Sequence, residues 1–129
     1  MKISTKGRYA LAIMLDLAMN NPEEYISLKD IATRQEVSIK YLEIAILNKA
    51  GYVKSSRGNA GGYKLARKPD EYKVGDILRT AEGDLAPTTC VQEGCHKQDS
   101  CLTYSFWQGL DNAIENYVDS KTLEDLIKK

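Results

Sequence analysis

The residues with the most chemistry in them lie close together. All three cysteines fall within twelve residues, Cys90-x4-Cys95-x5-Cys101, and the single histidine, His96, sits among them. Core cysteines would be scattered, whereas this stretch is crowded with charge and glycine (Glu93, Gly94, Lys97, Asp99). Several converging thiolates are what a soft metal ion or an iron–sulfur cluster requires. The spacing matches neither the paired C-x2-C zinc patterns nor the common ferredoxin runs. A 2Fe-2S centre also needs a fourth ligand. His96, Glu93, Asp99 or an exogenous group could supply it, with His96 hampered by ligating next to Cys95. The competing reading is a set of exposed thiols that are oxidised or modified as a redox sensor. An odd number of cysteines, in the reducing compartment expected of this chain, argues against a disulfide framework.

The 129 residues are 43% apolar and 28% charged, the composition of one soluble domain. No apolar run approaches the roughly 20 residues of a membrane helix, and the basic start leads into no signal-peptide core. A cytoplasmic protein without a membrane partner is therefore expected. Net charge is zero, but it is unevenly placed. Residues 1–68 hold twelve Lys/Arg against six Asp/Glu, and residues 69–129 hold the reverse. A basic front half points to a polyanion such as nucleic acid, although a dipolar surface with no partner would look the same. Beyond the cysteines there is no nucleophile–base pair and no phosphate loop, which argues against an enzyme.

The elements that must position these residues follow from periodicity. Residues 4–19 read as a helix capped by Ser4 or Thr5 and stopped by Asn20-Asn21-Pro22. Ser27 caps a second helix from Leu28 to about Gln35. Ser38 starts a third, with Ile39, Leu42, Ile46 and Ala50 on one stripe and Gly51 ending it. Two short helices joined by a tight turn form a helix-turn-helix. Residues 52–57 and 62–67 then read as a hairpin about the turn 58–61, a wing whose outward residues include Lys54, Arg57, Lys64 and Arg67. Such a basic wing suits phosphates or a narrow minor groove, while lysine on an edge strand also simply blocks aggregation. A short helix, 74–81, ends at Gly83. Residues 84–100 read as loop, and a long helix runs from Leu102 to about Val118. Its stripe of Phe106, Trp107, Leu110, Ala113, Ile114, Tyr117 and Val118 is large for so small a domain, so pairing with a second copy is expected. Packing within one chain is the alternative. Ser120 or Thr122 caps a last short helix carrying Leu123 and Leu126.

The opening Met1-Lys2-Ile3-Ser4-Thr5-Lys6-Gly7-Arg8-Tyr9-Ala10 resembles the IscR-type family of dimeric winged helix-turn-helix transcription regulators. So do Ser38-x-x-Tyr41-Leu42-Glu43, Arg57-Gly58-x-x-Gly61-Gly62-Tyr63 and Val74-Gly75-Asp76-Ile77. The cysteine loop followed by Cys101-Leu102-Thr103 and Trp107 is similar to the family's cluster-binding branch; the related CymR-type regulators lack that cysteine set. The resemblance implies a 2Fe-2S cluster on Cys90, Cys95 and Cys101 that reports iron–sulfur supply to promoters of cluster-assembly genes. It implies that Glu43 helps select between two classes of DNA site and that Arg57 enters the minor groove. Two departures stand out. Where the family has a histidine three residues after the last cysteine, this chain has Tyr104. Its recognition helix is also two residues short after Glu43, a downstream rotation of about 200° at ~3.6 residues per turn. Either the helix end repacks or residues are missing, which a Cα step well above ~3.8 Å between 43 and 48 would expose.

The expected architecture is mainly α with a small β-hairpin. It comprises a winged helix-turn-helix domain (1–83), a cluster loop (84–100) and a dimerisation helix with tail (101–129). Ser38, Lys40 and Tyr41 are expected to meet the major groove of double-stranded DNA, with Glu43 accepting from a cytosine amino group. Lys2, Lys6, Arg8 and Lys54 are expected on phosphates, and the wing turn through Arg57 and Asn59 completes the set. Ligation of the loop would bias how the two recognition helices of a homodimer are oriented. The rival functions are a thiol-redox or cysteine-metabolism regulator without a cluster, and an iron–sulfur carrier that does not touch DNA.

Overall fold

The computed structural model describes residues 2–38, 41–58, 61–94 and 99–128, the side chains of Tyr41 and Leu42 excepted. Lys40, Asn59, Cys95 and His96, all singled out above, lie outside the described residues.

Ser4 accepts a hydrogen bond from the Lys6 amide and opens α1 (Thr5–Ala18), which turns Ala10, Ile13, Met14 and Leu17 inward. Ser27 Oγ accepts from the Asp30 amide at 3.1 Å and opens α2 (Leu28–Gln35). That helix ends on Glu36 rather than on a glycine, in the left-handed region at φ 54°. Helix α3 (Tyr41–Lys49) runs unbroken and stops at Gly51, φ 79°, as its glycine signal predicts. Strands β1 (Val53–Ser56) and β2 (Gly62–Leu65) pair antiparallel, with Lys54 opposite Lys64. A single bridge between Ile26 and Tyr63 ties this wing to the start of α2. Gly62 is what permits it, because a Cβ there would strike the backbone of Ile26. A 3-10 turn (Pro69–Glu71) leads into α4 (Val74–Glu82), then α5 (Thr89–Glu93), α6 (Tyr104–Asp119) and α7 (Leu123–Lys128).

Three elements, α5, α6 and α3, depart from the periodicity reading. The stretch 84–100 is not all loop: α5 forms in it and ends at Gly94, φ 85°, but five residues carry too few turns to show a stripe. Helix α6 begins at Tyr104, not Leu102. The expected last short helix forms as α7 and packs into the first core, where Leu123 is completely buried. Two backbone bonds hold it, Val74 N to Lys121 O at 2.8 Å and Leu123 N to Tyr72 O at 3.1 Å. Helix α3 buries Glu43, Ile44 and Leu47, leaving Ile46 half-buried and Ala50 exposed, so its inward face is turned by one residue from the expected stripe. Ile44 and Leu47, at i and i+3, are a bulkier aliphatic pair than Ile46 and Ala50, and burying them wins there; Ile39 and the Leu42 side chain lie outside the described residues.

Two apolar clusters result. The larger joins α1, α2, α3, β1, α4 and α7 around Ile13, Met14, Ile77 and Leu123. The smaller packs Val74, Leu78 and Leu85 beneath Ile114 and Val118 of α6. Among the described residues no helix is long and apolar enough to cross a membrane.

The angle between α1 and α2 is fixed by Asp16, which is 3% exposed. Its carboxylate accepts from Arg34 Nη2 at 2.8 Å, Arg34 Nε at 3.1 Å, Gln35 at 3.0 Å and Asn20 at 3.2 Å. The bond to Asp16 raises the pKa of Arg34 above its usual value. Replacing Asp16 with Ala removes these acceptor contacts, yet Arg34 stays partly solvated. We therefore expect a loss of about 2 kcal/mol, read by urea unfolding, below the 3–5 typical of breaking a fully buried pair.

Candidate nucleic-acid interface and thiol centre

The basic residues predicted to face DNA are on the surface. Lys2, Lys6 and Arg8 are exposed at the start of α1, Ser38 precedes α3, and Lys54 and Arg57 are exposed on the wing. Among the described residues none of Lys2, Lys6, Arg8, Lys54 and Arg57 is ion-paired within the chain. Their charge is available to an external anion. The positive end of α1 is not, because Glu82 of α4 already occupies it. Its carboxylate accepts from Ser4 N at 2.6 Å, Ser4 Oγ at 2.8 Å and Gly7 N at 3.3 Å. Phosphate contacts at this end must therefore come from side chains.

Glu43 is placed differently from the expectation. Its side chain is 5% exposed, and Oε2 has no hydrogen-bond partner among the described residues. A carboxylate turned inward beside Ile44 and Leu47 cannot accept from a cytosine amino group in this setting of α3. A buried acceptor without a partner carries a desolvation penalty of ~1–3 kcal/mol, so this setting of the helix end is held against an opposing force.

The two described thiols sit on α5 and just ahead of α6, two helices that pack together. Cys90, half-buried in the first turn of α5, has its Sγ 3.0 Å from the Thr88 hydroxyl. Cys101 is exposed just ahead of α6, 3.4 Å from the Thr103 hydroxyl. Tyr104 is half-buried in the first turn of α6, and Glu93 and Asp99 are exposed. Among the described residues no group of three Cys, His, Asp or Glu side chains forms a ready metal cage. The donor chemistry nonetheless fits a thiolate-ligated centre, because two sulfurs are carried by neighbouring elements that bracket Cys95 and His96.

Sequence reasoning missed the joint connecting this centre to the winged domain. Arg79 of α4 reaches α6, donating to Glu115 and, at 2.8 Å, to Asp119, with Asp76 of its own helix 3.2 Å away. The hydrogen bond to Asp119 is the main reason its pKa is driven further up. Gly75 brings the helices close, since a Cβ there would collide with Asp119 and Val118. The acidic i, i+4 pair on α6 was the available signal, but its partner lies 36 to 40 residues away in sequence.

A helix-turn-helix with a basic wing, carrying a separate long helix, defines a winged-helix DNA-binding transcriptional regulator. The chain matches the Rrf2 family model, described as an iron-dependent transcriptional regulator, over residues 3–129, and it belongs to that family. It is 41% identical over 132 residues to protein rrf2 of Nitratidesulfovibrio vulgaris, covering 99% of this chain and 88% of the relative. With the regulator IscR of Aliivibrio salmonicida it shares 41% over 130 residues, 98% of this chain and 77% of the relative. Among solved structures, T. potens IscR superposes with a TM-score of 0.79 at 46% identity, covering 99% and 87% of the two chains. CymR, the global cysteine regulator of B. subtilis, gives 0.77 at 43%, covering 98% and 95%.

Asp111, on α6, has a buried Oδ1 with no hydrogen-bond partner among the described residues. Burial above all, then Glu115 and Asp84, raises its pKa. A carboxyl whose folded pKa lies above its unfolded value destabilises the fold at neutral pH, and the penalty fades as pH falls through the raised pKa. Asp111→Asn is therefore expected to raise Tm at about pH 7, with the gain shrinking toward about pH 4. Thermal unfolding across that range checks it, and a pH-independent gain would contradict the assignment.

Proposed function

We propose that this chain is a homodimeric, sequence-specific regulator whose grip on double-stranded DNA is set by a 2Fe-2S cluster, governing iron–sulfur cluster assembly genes. The observation that carries this reading is the placement of Cys90 on α5 and of Cys101 just ahead of α6, the long helix on which α5 packs. Cys90, Cys95 and Cys101 would hold the cluster, with the fourth ligand drawn from His96, Glu93, Asp99 or an exogenous group. When bound, the cluster supplies a one-electron redox centre and a fixed cross-link between its ligands. The chain's own residues do the rest. Arg79 transmits the position of α6 to α4, and α4 packs against α1 and α3. Lys2, Lys6, Arg8 and Lys54 would take phosphates, and Ser38, Lys40 and Tyr41 would read the major groove. Arg57 and Asn59 would approach the minor groove. Glu43 would join them only if α3 turns or its side chain swings outward.

Anaerobically prepared protein should contain iron and acid-labile sulfide in equal amounts, with thiolate-ligated iron in its Mössbauer spectrum. In gel shifts, Arg57→Ala should weaken specific binding about tenfold. Protein that stays colourless after reconstitution, yet binds DNA, would remove the cluster from this reading. Likeness to CymR favours a second reading in that event, a DNA-binding regulator answering to cysteine metabolism or to oxidation of the same thiols. Mass spectrometry under oxidant would then show Cys90 and Cys101 modified.

The dimer rests on α6. None of its sixteen residues is fully buried, and Phe106 is 64% and Tyr117 67% exposed. Leu110 is exposed too. Ile114 and Val118 meet the small core, so the chain uses one side of the stripe and leaves the other uncovered. Phe106→Asp with Leu110→Glu is expected to convert a dimer to a monomer in analytical ultracentrifugation, with DNA affinity falling at least tenfold as the second half-site is lost.

A further inference from the structure

A cleft of about 710 Å³ lies on the winged domain, between the end of α1, the outer face of the hairpin and the 3-10 turn. Its size is that of a small-molecule site. Leu17, Leu65 and Pro69 give it an apolar floor, and Lys54, Lys64, Arg67 and Lys68 stand around it. Among the described residues none of these four cations is in an ion pair.

Their arrangement is held by interactions that leave the charge uncompensated. Lys54 and Lys64 are direct cross-strand partners, a like-charge pairing that costs stability in a sheet. Lys64 Nζ rests 4.7 Å from the centre of the Tyr25 ring. The Arg67 guanidinium lies 4.9 Å from the Tyr72 ring and 5.7 Å from that of Tyr52, and its backbone amide donates to Tyr72 Oη at 2.9 Å. Two carboxylates, Glu23 and Glu71, also line the cleft, Glu71 accepting from the Lys68 amide at 2.8 Å; among the described residues neither is ion-paired with the four cations. Aromatic faces orient a cation without neutralising it. Four cations against two carboxylates leave the cleft with a net excess of positive charge over an apolar floor.

From this we propose that the cleft binds a small organic anion, a carboxylate or phosphate attached to an apolar body, as an effector site separate from the thiol centre. A DNA backbone could use the same cations. A duplex, however, presents a convex row of phosphates that has no use for a recessed apolar floor, and Lys64 is half-buried rather than extended outward. Lys54 belongs both to the cleft and to the residues proposed to face DNA. Occupancy of the cleft and binding of DNA would therefore be coupled, each weakening the other by the same factor.

Amide shifts of the full-length, isotope-labelled protein provide the test, with phenyl phosphate and inorganic phosphate as probes. Phenyl phosphate should give saturable one-to-one shifts centred on residues 64–68, binding at least fivefold tighter than inorganic phosphate. Lys64→Gln with Lys68→Gln should weaken it at least tenfold. Lys68→Gln alone, at an exposed site outside the hairpin, should weaken it severalfold and serves if the double variant is unstable. Equal affinity for the two probes, or shifts indifferent to the lysine variants, would overturn the proposal. So would either lysine variant lowering duplex DNA affinity while leaving phenyl phosphate binding intact, since the cleft cations would then be a phosphate track.

Discussion

Helix α6 buries none of its residues completely, so its attachment to the rest of the chain depends on what α4 offers it. That offer has two parts. Val74 and Leu78 give an apolar seat for Ile114 and Val118, and Arg79 forms a charged clamp on Glu115 and Asp119. Gly75 is the concession that lets both work, because any side chain there would hold the helices apart. The same α4 turns Ile77 into the main core against α1, and its Glu82 caps α1. A displacement of α6 is thereby felt at α1 without passing through flexible chain. Packed elements of this kind shift between discrete arrangements rather than deforming smoothly.

The charge arrangement divides the molecule by task. In the acidic half, several carboxylates are used internally: Glu82 on the α1 terminus, Glu115 and Asp119 on Arg79, and Asp125 on the Thr122 amide. In the basic half Asp16 takes Arg34, while among the described residues the cations of the wing and the α1 start form no ion pair. The zero net charge hides this division, because it averages compensated anions with uncompensated cations. Solvent-facing cations in rows, not net charge, are what a polyanion meets.

Helix α3 shows how local pattern and global packing can disagree. Its sequence offers an apolar stripe at Ile39, Leu42, Ile46 and Ala50, but the core takes Ile44 and Leu47, and Glu43 goes in with them. A helix of nine residues is too short for periodicity to fix its rotation, and neighbours on α1, α4 and β1 decide it. The unpartnered Glu43 oxygen is the residue of that compromise. In the helix proposed to read DNA, such a compromise leaves the helix orientation open to adjustment by a partner.

What the linear chain specified was everything governed by neighbours a few residues apart. The caps at Ser4 and Ser27, the stop at Gly51, the hairpin and the helix order follow from side chains bonding nearby amides and from glycine's access to positive φ. The clustering of Cys90, Cys95 and Cys101 is local too, and with it the expectation of thiolate chemistry. Tertiary packing alone decided the rotation of α3, the return of α7 into the first core, the Arg79 joint and the cationic cleft. Each of these joins groups tens of residues apart, and pairing at that range depends on which surfaces the whole chain buries, a quantity no short window of sequence contains.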